Sequence, residues 1–335
     1  MVRSSERRTM PAQALDTEVR SDQQIAADFL SYLQSDASDR VAYELEPTRL
    51  TGGADARLYR YKLIDQEPRV LRILRPNREV EELLYHQFVH QTLKQHGLKV
   101  PAIHSICGDQ SVLGGVFAVM DLVSGRPLYE QDPDLYAKVL GESMAHMHEL
   151  DVRPVIDAFR EAGIPEEAFL SPTLLEQWLD GAENNFPWTF ELVDWLRNHL
   201  PLAGQELSVI HGDYHAGNLM FENGSVTGVL DWGFFVADSA LDLANMMNAY
   251  LIWSPQRLKE VPPDLWQRIV DGALKSYQVI RSVNHECIQA FRVLHLLGPL
   301  CRASFYPEFM RRPESQREYL AFIEQTTGLK LSPAG

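Results

Sequence analysis

Cysteine is scarce. Cys107, Cys287 and Cys301 are the only three in 335 residues, and they lie far apart with no Cys-x-x-Cys pair. This excludes a disulfide framework and a cysteine-based zinc site. It also points to a reducing compartment, so a cytoplasmic location is expected. Long apolar runs are missing too. No stretch approaches the roughly 18 residues needed to span a bilayer. The opening residues, MVRSSERRTMPAQ, lack the apolar core of a secretory signal, and residues 1–20 are expected to form a loose tail. Positive charge is in deficit: 31 Lys and Arg face 46 Asp and Glu, a net charge of -15. A general nucleic-acid binder would carry a basic surface, so neither nucleic acid nor a membrane is an expected partner. The acidity is compatible with a cationic small molecule, which an acidic cleft would concentrate. It is equally compatible with a surface that only keeps the chain in solution. Repeats and low-complexity tracts are absent.

The residues that are present fold readily: 45% are hydrophobic and 23% charged, in a chain long enough for two lobes. The densest chemistry lies in residues 209–233, VIHGDYHAGNLMFENGSVTGVLDWG. One apolar run, Val209 and Ile210, leads into His-Gly-Asp. A second, ending at Leu230, leads into Asp-Trp-Gly. The Glu222-Asn223-Gly224-Ser225 turn between them reads as a hairpin. Two strand ends and a loop thus bring Asp213, Asn218 and Asp231 together. Carboxylate and amide oxygens in one place suit magnesium and phosphate.

Taken in order, the chain begins with a helix from Ser21, capped by Ser21 or Asp22, with Ile25, Phe29, Leu30 and Leu33 on one face. Strands are expected over 41–50, 57–64 and 68–74. The Gly52-Gly53 turn after the first lets backbone N–H groups approach phosphate. A helix over 77–96 presents Val80, Leu83, Leu84, Phe88 and Leu93 and stops at Gly97. Two short strands follow, near 100–106 and 115–122, and Ser124-Gly125-Arg126-Pro127 marks a hinge. From Asp132 to about residue 200 the pattern is mostly helical. Beyond 237, helices are expected over 239–253, 263–282, 284–303 and 315–326. The order implies an α+β architecture: a β-rich N-terminal lobe over 21–123, a mainly helical C-terminal lobe over 124–335, and a ligand cleft between them.

HGDYHAGN followed by LDWG, after a strand-rich lobe and within a helical one, resembles the aminoglycoside phosphotransferase and choline kinase family. These are small-molecule relatives of the protein kinases, and the resemblance covers roughly residues 41–310. It implies a two-lobed protein-kinase-like fold and transfer of the γ-phosphoryl group of ATP to a small-molecule hydroxyl. Candidate acceptors are an aminoglycoside or other antibiotic, an amino alcohol, a sugar or a related metabolite. Asp213 would then accept or orient the proton of the attacking hydroxyl, and Asn218 and Asp231 would hold magnesium. His211 and His215 would hold the loop. A zinc site built from His211, Asp213 and His215 is the competing reading of the same segment, and Asn218 and Asp231 downstream argue against it.

In the N-terminal lobe the resemblance implies a basic strand residue paired with a helix carboxylate to hold the nucleotide phosphates. The matching position is Arg72, a departure from the usual lysine. Its expected partner is Glu82, with Glu79 and Glu81 as alternatives. Gly52 and Gly53 would lie over the phosphates. Met120, with Leu50 and Val70, would flank the adenine. Asp242, in DSALDLA, matches a family segment and reads as a structural anchor, with Ser239 and Asp242 forming a helix cap. Acceptor specificity is expected from the helical segments beyond Asp242 and from residues 151–200, with Tyr250, Trp253, Glu260, Trp266 and Tyr277 as candidates for a pocket. A different class of function, a nucleotide-binding regulator with little catalysis, fits the substitution at Arg72.

Overall fold

The computed structural model describes residues 20–36, 41–50, 56–200 and 206–333. The fold is α+β and divides into two compact units. One comprises the described residues up to Tyr85 with Ile103–Leu122; the other comprises His86–Ala102 with the described residues from Val123 onward. The segment His86–Ala102, expected from sequence in the first lobe, therefore groups with the second unit.

The first unit is built on a five-stranded antiparallel sheet. Its elements in chain order are α1 (Asp22–Asp36), β1 (Tyr43–Arg49), β2 (Ala56–Leu63), β3 (Arg69–Leu74), the start of α2 (Val80–Gln95, in this unit up to Tyr85), β4 (Ile103–Cys107), α3 (Gln110–Leu113) and β5 (Phe117–Asp121). The strand order is β1-β2-β3-β5-β4. Ser21 starts α1 with a reciprocal capping box: its hydroxyl accepts from Gln24 N (3.2 Å) and Gln24 Oε1 accepts from Ser21 N (2.7 Å). Strand alternation sorts the core onto the two faces of the sheet. Leu71, Ile73, Phe117 and Val119 pack with Ile25 and Phe29 of α1. Val70, Leu74, Ala118 and Met120 pack with Leu83 of α2 and with Leu50. Leu84, expected on the buried face of α2, is 50% exposed, because the helical turn that buries Leu83 carries its neighbour outward. Gly97, at φ +89°, ends α2 in a left-handed conformation, and Leu98 N bonds back to Leu93 O (3.0 Å).

The second unit is mostly helical. It contains β6 (Arg126–Pro127), α4 (Pro133–His148), α5 (Arg153–Glu161), α6 (Ser171–Asn185) and α7 (Phe190–His199). Then come β7 (Leu207–Ile210), β8 (Leu219–Glu222), β9 (Ser225–Val229) and β10 (Phe235–Asp238). It closes with α8 (Ala240–Asn248), α9 (Ser254–Arg257), α10 (Pro263–Gln278), α11 (His285–Cys301), α12 (Glu308–Arg311) and α13 (Pro313–Thr327). Small residues let α4 and α10 approach closely: a Cβ on Gly141 would sit 2.1 Å from Ala273 O. Arg292 ties the last helices together. It donates from Nε to Asn248 Oδ1 (2.9 Å) and lies 4.2 Å over the ring of Phe322.

The short strands frame the chemistry. β8 and β9 form the expected hairpin, and its two-residue turn has Asn223 at φ +50° and Gly224 at φ +81°. Positive φ at both positions is the turn that matches strand twist, which explains the Asn-Gly pair. β7 pairs with β10, a strand that the sequence pattern does not predict. Residues 124–127, expected as a hinge, contain β6, which pairs with β8.

Candidate active site

The 211–218 loop leaves the end of β7 and is tied down at both backbone groups of His211, Gly212, Asp213 and Asn218. Asp242 in the first turn of α8 is 0% exposed. Its Oδ2 accepts from His211 N (2.8 Å) and its Oδ1 from Gly212 N (2.8 Å). Asn245, one turn further along α8, donates to Gly212 O (2.6 Å), and Gly233 N donates to His211 O (2.9 Å). Ser239 forms no side-chain cap on α8; Asp238 Oδ1 accepts from Ala240 N instead (2.8 Å). The expected Ser239–Asp242 box is therefore corrected, because both Asp242 oxygens are taken by the loop. Gly212 stands at φ +88° with Phe235 Cε2 3.1 Å from where a Cβ would lie, so backbone and space both require glycine.

His211 is fully buried against Trp232, 4.7 Å between ring centroids. Its Nε2 donates to Leu230 O (2.8 Å) and its Nδ1 accepts from Asp213 N (3.1 Å). These partners define one neutral tautomer. Burial lowers its pKa, more than the nearby carboxylates raise it. With both ring nitrogens engaged, His211 has none to offer a metal. Among the described residues, no cluster of three or more His, Cys, Asp or Glu side chains is arranged for one.

The same loop turns the Asp213 side chain outward, 60% exposed. His215 Nδ1 accepts from Gly217 N (2.9 Å), leaving Nε2 to face Asp213 Oδ2 at 3.5 Å. Partial burial pushes the Asp213 pKa up, the His215 and Asn218 contacts pull it down, and the balance lies below the ordinary value. Asn218 Nδ2 donates to Asp213 O (3.0 Å), and Asn218 O accepts from Leu230 N (2.8 Å). That last bond places Asn218 beside the residue preceding Asp231. Asp231 is exposed and sits at φ +59°. A left-handed non-glycine residue costs on the order of 1–2 kcal/mol, and such strain gathers at functional sites.

In the first unit, Arg72 lies on β3 between Leu58 of β2 and Ala118 of β5. Strand parity places it on the face carrying Val70, Leu74 and Met120. Its side chain has no ion pair or hydrogen bond among the described residues. Glu82 does not pair with it. Its carboxylate meets Arg78 Nε at 2.9 Å, one helical turn away, where the local i,i+4 partner prevails. Met120, Val70 and Leu50 share one apolar cluster. Gly52 and Gly53 lie outside the described residues.

The aromatic candidates for an acceptor pocket separate. Tyr250 is buried and its hydroxyl accepts from Ala216 N (3.0 Å), bracing the loop. Tyr277 bonds His148 Nδ1 (2.9 Å), and Trp266 stacks on Tyr250. These serve the core. Trp253 lines a cavity of about 460 Å³ that reaches Gly212. Phe186, Phe235, His295, Arg302 and Tyr306 also line it, and none of these stood out in the sequence.

Residues 46–268 match the pattern described as the phosphotransferase enzyme family. The chain belongs to that family. Acyl-CoA dehydrogenase family member 11 of Gallus gallus is 33% identical to this family member over 172 residues, 48% of this chain and 21% of that protein. The curated relatives it matches are much longer, and the chain spans only 16–22% of their lengths. Among solved structures, a thermostable aminoglycoside phosphotransferase APH(4)-Ia in ternary complex with AMP-PNP and hygromycin B aligns with a TM-score of 0.59. It is 15% identical, over 91% of this chain and 100% of that one. The amicoumacin kinase hAmiN, in complex with AMP-PNP, Ca2+ and Ami, aligns with a TM-score of 0.55 at 16% identity, over 91% of this chain and 96% of that one. The phosphotransferase-family chain thus shares the kinase-like fold of these proteins.

Proposed function

We propose that this chain is an ATP- and magnesium-dependent kinase of a small-molecule hydroxyl, with Asp213 as the residue that addresses that hydroxyl. One observation carries the reading: a rigidly anchored loop presents an exposed carboxylate, with Asn218 bonded to the Asp213 backbone and Leu230, the residue before Asp231, bonded to Asn218. The ATP analogues in complexes of APH(4)-Ia and hAmiN support the donor.

Asn218 and Asp231 fit magnesium. The Asn218 amide nitrogen is spent on Asp213 O, which leaves Oδ1 as the free donor, and Asp231 has an exposed carboxylate. A hard cation takes oxygen ligands and completes its shell with phosphate and water rather than an all-protein cage. Bound there, magnesium would neutralise phosphate charge. Asp213 would take the acceptor proton as the acceptor oxygen bonds the γ-phosphorus and the bond to the ADP oxygen breaks. Arg72 would serve the phosphates, and the Leu50, Val70 and Met120 cluster the adenine.

Asp231→Ala is expected to weaken magnesium-supported ATP binding by roughly tenfold or more, ~1.4 kcal/mol or more. Calorimetric titration with and without magnesium measures this, and an unchanged metal-dependent affinity would remove Asp231 from the role. Arg72, whose side chain has no ion pair among the described residues, with Glu82 engaged by Arg78, favours one second reading: a nucleotide-binding regulator that turns over little. A coupled ADP-release assay across hydroxyl acceptors separates the two. Acceptor-stimulated release supports the kinase, and tight nucleotide binding without stimulation supports the regulator.

A further inference from the structure

The cavity beside the 211–218 loop has a composition that narrows the acceptor. Gly212, the residue before Asp213, forms part of its wall. Trp178, Phe186, Phe235 and Trp253 supply aromatic surface. Among the described residues no aspartate or glutamate lines it, and the one lining side chain with a fixed charge is the guanidinium of Arg302. Arg302 forms no ion pair with the described residues. An acceptor bearing several ammonium groups would lose hydration against these walls, gain no carboxylate and meet a like charge. The net charge of -15 is therefore not expressed here.

His295 of α11 and Trp253, both in the wall, each carry a buried ring nitrogen with no partner among the described residues, and of the two only His295 can both donate and accept. Its Nδ1 is buried without a partner, and the side chain makes no hydrogen bond to the described residues. Buried polar atoms are normally satisfied, so an orphan on a residue that lines a cavity points to a ligand group there. Burial pushes its pKa down to about 4, against a smaller opposing pull from Asp242, so the ring offers a neutral donor and acceptor rather than a cation.

We infer that this cavity is the acceptor pocket and that it takes a largely apolar alcohol carrying no positive charge, hydrogen-bonded by His295. This rests on the kinase reading above. The acceptor O–H would give its proton to Asp213 as its oxygen bonds the γ-phosphorus and ADP departs.

The test uses the full chain with Mg-ATP. Its probes are medium-chain and phenyl-substituted alkanols, the same alcohols carrying a carboxylate, choline and kanamycin. ADP release reports turnover. Tryptophan fluorescence without nucleotide reports binding, because Trp178 and Trp253 lie in the wall. Uncharged or anionic alcohols should stimulate ADP release. His295→Leu should raise their KM about tenfold, ~1.4 kcal/mol, with little change in kcat. Cys301→Phe, which fills the cavity from a second position, should abolish both signals. Stimulation by choline or kanamycin alone would overturn the inference and leave the kinase reading intact. An unchanged KM in both variants, each melting like the parent, would also overturn it. If nothing stimulates ADP release but the alcohols bind saturably and Cys301→Phe removes that binding, the ligand class is supported and the kinase reading falls. No saturable binding by any probe overturns the inference.

Discussion

Asp213→Asn should lower kcat by about 10²–10⁴-fold while nucleotide affinity and melting temperature stay at the parent values. The substitution keeps shape and volume and removes only the ability to take a proton. Stability should hold because the carboxylate is largely exposed and no backbone group depends on it; the loop is fixed by Asp242, Asn245 and Tyr250. The comparison needs steady-state kinetics with a working acceptor, nucleotide titration and a melting curve on one preparation. Parent-like turnover would take the base role from Asp213. A fall in melting temperature matching the fall in activity would make the effect structural.

The sequence is most legible where a feature depends on near neighbours. The Ser21 cap, the stop at Gly97 and the Asn223-Gly224 hairpin each follow from a few consecutive residues, and all three form as expected. The HGD and DWG segments are legible for the same reason. They name Asp213, Asn218 and Asp231, and the structure brings Asn218 and the residue before Asp231 into direct backbone contact.

Competition between partners is harder to read. Glu82 can meet Arg78, four residues earlier and just ahead of its helix, or Arg72 on the sheet, and the partner nearer in sequence prevails. Ser239 and Asp242 have cap-like spacing, but two buried N–H groups of the loop compete for the same carboxylate and satisfy it better. Surfaces assembled from distant helices are least legible. The cavity draws on α6, β10, α8 and α11, and His295, Arg302 and Tyr306 lie beyond the residues matched to the family pattern. Nothing in their own local sequence distinguishes a helical histidine that faces a cavity from one that faces the core.

Asp242→Ala should produce the opposite signature from Asp213→Asn, a joint loss of stability and activity. The wild-type carboxylate is wholly buried, accepts two backbone N–H groups of the loop and faces His148 Nε2 at 3.3 Å. His148 in turn uses Nδ1 on the Tyr277 hydroxyl, so one side chain connects the loop, α4 and α10. Alanine leaves two buried donors and one ring nitrogen without their acceptor. At about 1–3 kcal/mol for each unsatisfied group, the penalty is on the order of 4 kcal/mol even after partial relaxation. For a unit of this size that corresponds to roughly a 10 °C fall in melting temperature. Activity should fall with it at temperatures where the variant is still folded, because His211 and Gly212 fix the direction in which Asp213 leaves the loop. Asp242→Asn is the sharper control. It fills the same space and can still accept one N–H, but it turns an amide toward the other donor, so it should recover only part of the stability. Melting by circular dichroism and kcat below the transition measure both effects. A variant that melts like the parent and loses only turnover would move Asp242 from anchor to participant in the chemistry.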